Sequence, residues 1–297
     1  MNLSRFATTP LLAIALLSGS PNTRAVAKSP AELTAAAEKG DADAQFRLGQ
    51  AHLRGIEVEK NLRKAYELIL QAAEQGHADA LGGVGYFYAT GTIVRKDLAE
   101  AVSWFRKGAE KGGAKAQLNL GKALAYGRGV TANEPEGLQW IERAAAQGLP
   151  QAFHEQGEFH YYGKFGRSKD YQEAYRYYLK AAEADYAGAQ NMLGVIYLYG
   201  YGVPRNLSQA EAWFRKGAEQ GDAKSQSGLG QLLGPDGPDA SKHVEALMWL
   251  MLAQRASEPM AQNILSEITR NIPPEKLAAA RQQVAAFRPR PSAADLK

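Results

Sequence analysis

Two histidines and two glutamates, His154, Glu155, Glu158 and His160, lie on one predicted helix of this chain. Imidazole and carboxylate groups together could bind zinc or transfer protons. The spacing does not suit zinc, because six residues turn a helix through about 600° and leave the two imidazole rings roughly 120° apart. Zinc-binding helices instead carry two histidines four residues apart. We therefore predict no metal site, and only His154 and Glu158 remain as candidates for catalysis.

The other sequence signatures of catalysis are not met. The chain has no cysteine, so it has neither a thiol nucleophile nor a disulfide. The stretch 163–169, Gly-Lys-Phe-Gly-Arg-Ser-Lys, lacks the spacing of a phosphate-binding loop. No serine lies in a Gly-x-Ser-x-Gly turn. These observations predict that the protein is not an enzyme and uses no cofactor.

The most regular feature of the chain is a motif that repeats every 36 residues, with one spacing of 37. A small residue follows each anchor of the motif at the fourth position, and a glycine, or Ser266 in the last unit, follows at the ninth. Self-similarity at this period predicts a solenoid of stacked helical units. The anchors are Gly40, Gly76, Gly112, Gly148, Asp185, Gly221 and Ser257.

Each unit predicts two helices joined by a turn. The first helix, for example residues 42–54, carries small and apolar residues at three-to-four spacing, which is typical of one buried face. It ends in a glycine turn such as that at Gly55 or Gly91. The second helix should begin after a polar residue whose side chain accepts a free backbone N–H. These expected N-caps are Asn61, Asp97, Asn133, Asp170 and Asn206.

The second helices share a further pattern. Residues 101–112 and 210–221 are near copies with the sequence Ala-x-x-Trp-Phe-Arg-Lys-Gly-Ala-Glu-x-Gly. Trp140, Tyr177 and Trp249 occupy the tryptophan position in other units. We expect small residues of the first helix to pack against these large residues of the second.

These residues together resemble the Sel-one-like repeat family, relatives of the tetratricopeptide repeats, over about residues 37–262. The resemblance implies an all-α fold: a right-handed α/α solenoid of about six 36-residue helix-turn-helix repeats with terminal capping helices. It also implies that the protein binds other proteins. Two units depart from the pattern. The fourth has Gln156 before its glycine and Gly-Lys-Phe-Gly in its turn at 163–166, and the sixth has a different turn at 234–239.

The ends of the chain predict further segments. Residues 1–27 combine Arg5, an apolar stretch at 6–17 and Ala25-Val26-Ala27, which indicates a secretion signal, with an uncleaved tail or interfacial anchor as the alternative. The stretch is too short to span a bilayer, so no stable membrane span should remain after cleavage. We predict a periplasmic or secreted protein. The remaining divisions are an N-terminal capping helix at 28–40, the repeat array at 41–257, C-terminal capping helices at 258–287 and a disordered tail at 288–297.

The charge distribution does not favour nucleic acid as a partner. The net charge of +4 falls to about +2 without residues 1–27, which contain Arg5 and Arg24 and no acid. The remaining lysines and arginines are scattered among acids, with no basic run or basic-aromatic motif. We therefore predict no nucleic-acid binding.

A candidate binding surface follows from comparison with tetratricopeptide arrays, whose concave face is lined by the first helix of each unit. Tyr126, Tyr162 and Tyr199 occupy the same position in three successive units and could form a ridge along this face. The alternative is that they only fill the junction between helix and turn. The remaining predicted concave-face residues are Tyr86, Lys122, His154, Glu158 and Asn191.

The sequence leaves three functional hypotheses. The preferred one is a non-catalytic protein–protein interaction scaffold or adaptor of the bacterial cell envelope, which binds a segment of an unidentified protein partner on its concave face. The second is a carbohydrate- or peptidoglycan-binding module that stacks the sugar rings of a cell-wall glycan on the tyrosines. The third is a cell-wall-acting enzyme that uses His154 and Glu158.

Overall fold

The computed structural model describes residues 30–234, 240–269 and 272–291, and these residues form fifteen α-helices and no strand. The segment 1–27 that predicts a secretion signal and the unusual turn at 235–239 lie outside the described residues. None of the described helices is both long enough and apolar enough to cross a bilayer. The helices are α1 (Pro30–Glu38), α2 (Ala42–Arg54), α3 (Leu62–Glu74), α4 (Ala78–Thr90), α5 (Leu98–Glu110), α6 (Ala114–Tyr126), α7 (Glu134–Ala146), α8 (Pro150–Tyr162), α9 (Tyr171–Glu183), α10 (Ala187–Tyr199), α11 (Leu207–Glu219), α12 (Ala223–Leu232), α13 (His243–Arg255), α14 (Pro259–Ile268) and α15 (Pro274–Ala286).

The helices stack as an α/α solenoid of six pairs, from α2–α3 to α12–α13, as the repeat predicts. From α1 to α14 each helix packs on the next one along the chain, and α15 packs back on α13. The first helices α4 and α6, α10 and α12, and α12 and α14 also pack directly on one another. Among the described residues no two successive second helices pack as closely. The first helices therefore lie on the inner, concave side of the array.

The predicted helix caps are confirmed. Each of the five expected N-cap side chains accepts the backbone N–H three residues further on, for example Lys64 N–H to Asn61 Oδ1 at 3.0 Å and Glu173 N–H to Asp170 Oδ1 at 2.9 Å. A cap of this kind stabilises a helix by about 1 kcal/mol. The first helices of units one to five end at a glycine in the left-handed conformation, with φ between 65° and 75°.

The glycine nine residues after each anchor lets the two helices of a unit approach closely. A Cβ at Gly157 would lie 2.6 Å from the ring of Tyr178, and a Cβ at Gly85 would lie 2.6 Å from the ring of Phe105. The expected packing of small against large residues is thus present. The large residue that meets the glycine, however, is not the recurring Trp or Tyr but the residue that follows it, such as Phe105 after Trp104 or Tyr178 after Tyr177. The side chain of this following residue points between the two helices of the unit.

The first residues of the predicted disordered tail lie against the array. Residues 288–291 follow α15 and return to the array instead of leaving it. The backbone N–H of Arg290 donates to the carbonyl of Glu219 at 2.7 Å, and its guanidinium forms two hydrogen bonds with the Asp185 carboxylate at 2.8 and 3.0 Å. The ion pair between Arg290 and Asp185, together with the backbone hydrogen bond to Glu219, holds this part of the tail. Residues 292–297 lie outside the described residues.

Candidate functional site

A groove of about 940 Å³ runs along the concave face of units three to six. The helices α6, α8 and α10 form most of its wall, and the starts of α12 and α14 close one end. Of the eight residues predicted for this face, six line the groove: Lys122, Tyr126, His154, Glu158, Tyr162 and Asn191. Tyr86 lines a second hollow beside α4, and Tyr199 lies outside both.

A buried carboxylate lies at the centre of the groove. Glu155 is 7% exposed, accepts a hydrogen bond from the Tyr126 hydroxyl at 2.9 Å and pairs with the Lys122 ammonium at 2.7 Å. Burial by itself would raise the pKa of Glu155, but the charge and hydrogen bonds of these two partners outweigh it and hold the pKa below its ordinary value. Burial and the neighbouring Glu155 charge raise the pKa of Tyr126. This part of the groove therefore contains an ionised carboxylate, an ammonium and a neutral phenol in fixed positions.

A second carboxylate of α8 forms a similar network one turn further on. Glu158 accepts a hydrogen bond from the Tyr178 hydroxyl at 3.2 Å and from the Lys164 ammonium at 3.3 Å. The same ammonium lies 5.8 Å from the ring centre of Tyr126 and 5.1 Å from that of Tyr162. Lys164 thus connects the two tyrosines that the repeat register places in successive units.

The two histidines of α8 do not meet. His154 lies in the groove between the rings of Tyr178 and Tyr186, at 5.4 and 5.3 Å. Burial lowers the pKa of His154, against the opposing charge of Glu158, so the imidazole is neutral at pH 7. His160 instead stacks on Tyr177 at 5.5 Å. Within the described residues no group of three or more His, Cys, Asp or Glu side chains is arranged to hold a metal ion.

The three tyrosines of the hypothesised ridge have different surroundings. Tyr162 and Tyr199 are 49% and 58% exposed, whereas Tyr126 is half-buried and bound to Glu155. Tyr199 packs on Tyr201 at 5.6 Å, within a tyrosine cluster at the turns of units four and five. Tyr162 contacts this cluster through Tyr161 at 4.8 Å. The groove therefore holds Tyr126 and Tyr162, and Tyr199 belongs to the neighbouring surface.

Several groove residues carry no recognisable signal in the repeat. Glu155 stands where other units have Arg47, Gly83, Asn119 and Met192, so its burial could not be read from the pattern. Its place beside His154 and Glu158 in the sequence suggested only a metal ligand. Lys164 lies in the turn of the fourth unit. This turn departs from the repeat, and that departure was the sequence signal that could have pointed to Lys164. Arg128, Gln151, Tyr186 and Lys224 also line the groove and were not among the predicted site residues.

The carboxylates of the groove are already engaged within the chain. Glu155 and Glu158 bind lysines, while Asp222 and Glu258 cap the first turns of α12 and α14 by accepting the N–H groups of Ser225 and Ala261 at 2.7 and 2.9 Å. Two cations of the lining, Arg128 and Lys224, form no ion pair with any described residue. The charge that remains available to a bound molecule is therefore positive.

A sequence model of the family described as Sel1 repeat matches five segments of the chain, residues 42–77, 78–113, 114–149, 157–186 and 187–222. The stretch that it leaves unmatched between them, 150–156, contains three residues that line the groove: Gln151, His154 and Glu155. The match to this unit therefore begins within α8, at Gly157.

Solved structures of similar proteins share the fold. A Sel1 repeat protein from Oxalobacter formigenes is 32% identical with a TM-score of 0.62, over 76% of this chain and 91% of that one. A protective antigen of uropathogenic Escherichia coli strains with an SLR fold is 31% identical with a TM-score of 0.58, over 87% and 56%. An uncharacterized protein of Neisseria meningitidis serogroup B is 30% identical over 107 residues, which are 36% of this chain and 22% of that protein. The match thus spans about a fifth of that curated relative.

Proposed function

Because this chain belongs to the Sel1 repeat family, whose members are generally protein-interaction scaffolds, we propose that it is a non-catalytic scaffold that binds an extended protein segment in the concave groove. The observation that carries the proposal is the network around Glu155, which fixes the side chains of the groove before any partner arrives. A preformed surface loses little conformational entropy on binding, so most of the ordering cost falls on the partner.

The shape and chemistry of the groove fit a segment of polypeptide. The groove is open along several units, and it combines ring faces with donors and acceptors that can reach a peptide backbone. Tyr162 offers an exposed ring, and the neutral imidazole of His154 can donate or accept a hydrogen bond.

The same contacts do not favour an enzyme. Glu158 is held by Lys164 and Tyr178, and Glu155 is held by Lys122 and Tyr126, so both carboxylates are engaged in positioning the side chains of the groove. His154 has two aromatic neighbours and no hydrogen-bonded nucleophile among the described residues. The geometry thus supports recognition rather than catalysis.

We also propose that the scaffold works outside the cytoplasm, in the periplasm or as a secreted protein. The support is the charge, apolar stretch and small-residue site within residues 1–27. Fractionation of the native cells followed by mass determination tests this proposal. Recovery from the envelope fraction of a chain that begins near Lys28 is the expected result, and an intact chain in the cytoplasm would contradict it.

The binding proposal is tested by affinity capture with the mature array, using two tyrosine variants as a matched pair. Tyr162 and Tyr199 are similarly exposed, but only Tyr162 lines the groove. A protein partner should be retained by the wild type and by Tyr199→Ala and lost from Tyr162→Ala, with both variants still helical by circular dichroism. If the partner were lost only from Tyr199→Ala, the binding surface would be the tyrosine cluster and not the groove. A glycan would then be the next ligand to examine.

A further inference from the structure

We propose that a second hollow, next to the groove, binds an apolar side chain of the partner that is flanked by carboxylates. This inference rests on the proposed function and specifies the partner segment. The hollow has a volume of about 590 Å³ and lies between α4, α5 and α6. It shares Asn119, Lys122 and Arg128 with the groove, so one extended chain could occupy both.

The hollow presents apolar surface to solvent. Its lining includes Val102 and Phe105, which are almost fully buried, and Leu98 and Tyr86, which are 38% and 51% exposed. An apolar residue of a partner would remove this surface from water without displacing a polar contact of the array. Such burial is the general driving force of association, and the volume admits an aliphatic or aromatic side chain.

The charged residues that line the hollow are all positive. Lys96, Lys122 and Arg128 line it, and no aspartate or glutamate does so among the described residues. Lys122 is paired with Glu155, whereas Lys96 and Arg128 form no ion pair with any described residue. A partner carboxylate next to the apolar residue would find cations that the array itself leaves unpaired. This charge complementarity selects an acidic partner over a neutral or basic one.

Two close approaches of the backbone hold these cations in place. A Cβ at Gly129 would overlap the backbone carbonyl of Leu98, so only glycine lets the turn after α6 lie against the start of α5. Arg128 precedes this glycine, and its backbone N–H donates to the carbonyl of Ala123 at 2.8 Å. The turn after α4 is similar, because Gly91 lies against Lys96. The basic residues therefore come from fixed turns rather than from mobile loops.

The experiment uses a phage library of random 12-residue peptides displayed against the mature array, followed by fluorescence anisotropy with the enriched peptides. The test variant is Lys96→Glu with Arg128→Glu. The matched control is Arg95→Glu, which reverses an exposed charge one residue away that does not line the hollow. Tyr162→Ala serves as the variant of the groove. Circular dichroism melting confirms that each variant is folded.

The proposal predicts enrichment of peptides in which Asp or Glu flanks Leu, Ile or Phe. Their affinity should fall about tenfold or more in the Lys96→Glu, Arg128→Glu variant, stay unchanged in Arg95→Glu and weaken as salt is raised. Peptides that bind and depend on Tyr162, but lack the acidic-apolar pattern or tolerate the double charge reversal, would overturn this inference and leave the scaffold proposal standing. Peptides whose affinity is unchanged by Tyr162→Ala and by the double charge reversal would overturn both this inference and the scaffold proposal. The same holds if no peptide is enriched.

Discussion

The hydroxyl of Tyr126, at the end of α6, donates a hydrogen bond of 2.9 Å to Oε1 of Glu155, in the middle of α8. The two residues belong to successive units, so this bond joins neighbouring repeats at the centre of the concave face. Lys122, one turn before Tyr126, binds the other oxygen of the same carboxylate at 2.7 Å. One buried carboxylate thus fixes the relative position of units three and four and shapes the groove between them.

Removing the hydroxyl should measure the strength of this link. Tyr126→Phe keeps the ring and deletes the donor, and Glu155 keeps its ion pair with Lys122. We expect the free energy of unfolding to fall by about 1.5–3 kcal/mol, the range for a hydrogen bond to a charged group. Urea unfolding followed by circular dichroism gives the value. Tyr199→Phe, at an exposed ring, is the control and should change it by less than about 0.5 kcal/mol. Equal effects of the two variants would rule out the link.

The ionisation of Glu155 should make stability depend on pH. Its pKa is lower in the folded chain than the ordinary 4.5, so the unfolded chain binds the proton more readily. The stabilisation is therefore complete above pH 4.5 and is lost as pH falls through the folded pKa.

Lys122→Met should reverse this dependence. Burial would then act on Glu155 with less opposing charge, which would raise its pKa and reduce stability already near neutral pH. Urea titrations from pH 3 to 7 distinguish the two profiles. Wild-type and variant curves that are parallel over this range would show that Lys122 does not control the carboxylate.

The C-terminal contact between Arg290 and Asp185 should make a small and salt-dependent contribution. Both side chains are partly solvated, so we expect their coupling in a double-mutant cycle to be below about 1 kcal/mol at low salt and smaller in 1 M NaCl. Arg290→Ala should consequently have little effect once Asp185→Gly is present. An undiminished effect in that background would contradict the ion pair, because alanine keeps the backbone N–H that donates to Glu219.

Close packing within a unit should make the helix glycines intolerant of a methyl group. A Cβ at Gly194 would overlap the buried ring of Phe214. Gly194→Ala should therefore destabilise the array by about 1–3 kcal/mol, as overpacking does. The same change should cost less in a Phe214→Leu background, which provides space. Thermal melting of the four proteins tests this coupling, and additive effects would contradict the contact.

The sequence allows the fold to be predicted because the signals of a repeat reinforce one another. The glycine turns, the N-caps at Asn61 and its equivalents, and the small residues opposite large ones all recur in one register, and the structure confirms them. The partners of side chains that do not recur from unit to unit were harder to predict. Glu155 occupies a position where other units have unrelated residues, so no periodic signal indicates its role. Arg128 and Lys164 share one repeat position, but other units have Ile56, Thr92 and Tyr201 there.

The contacts of Glu155, which shape the centre of the groove, lie between units three and four. Tyr126 occupies the same repeat position as Tyr162 and Tyr199, and its hydroxyl donates to a glutamate 29 residues further along the chain. Periodicity identifies equivalent positions but not the partners that each position finds in the next unit. The tyrosine ridge as a binding surface, the segment boundaries and the export signal therefore stay predictions.

The most direct test of the central claim is site-specific photocrosslinking in the native cell. A p-benzoylphenylalanine in place of Tyr162 keeps an aromatic ring in the groove, and one in place of Glu142, an exposed residue of α7, reports on the second helices. The scaffold account predicts a discrete protein adduct from position 162 and none from position 142. An adduct from position 142 alone, or no protein adduct from position 162, would contradict it.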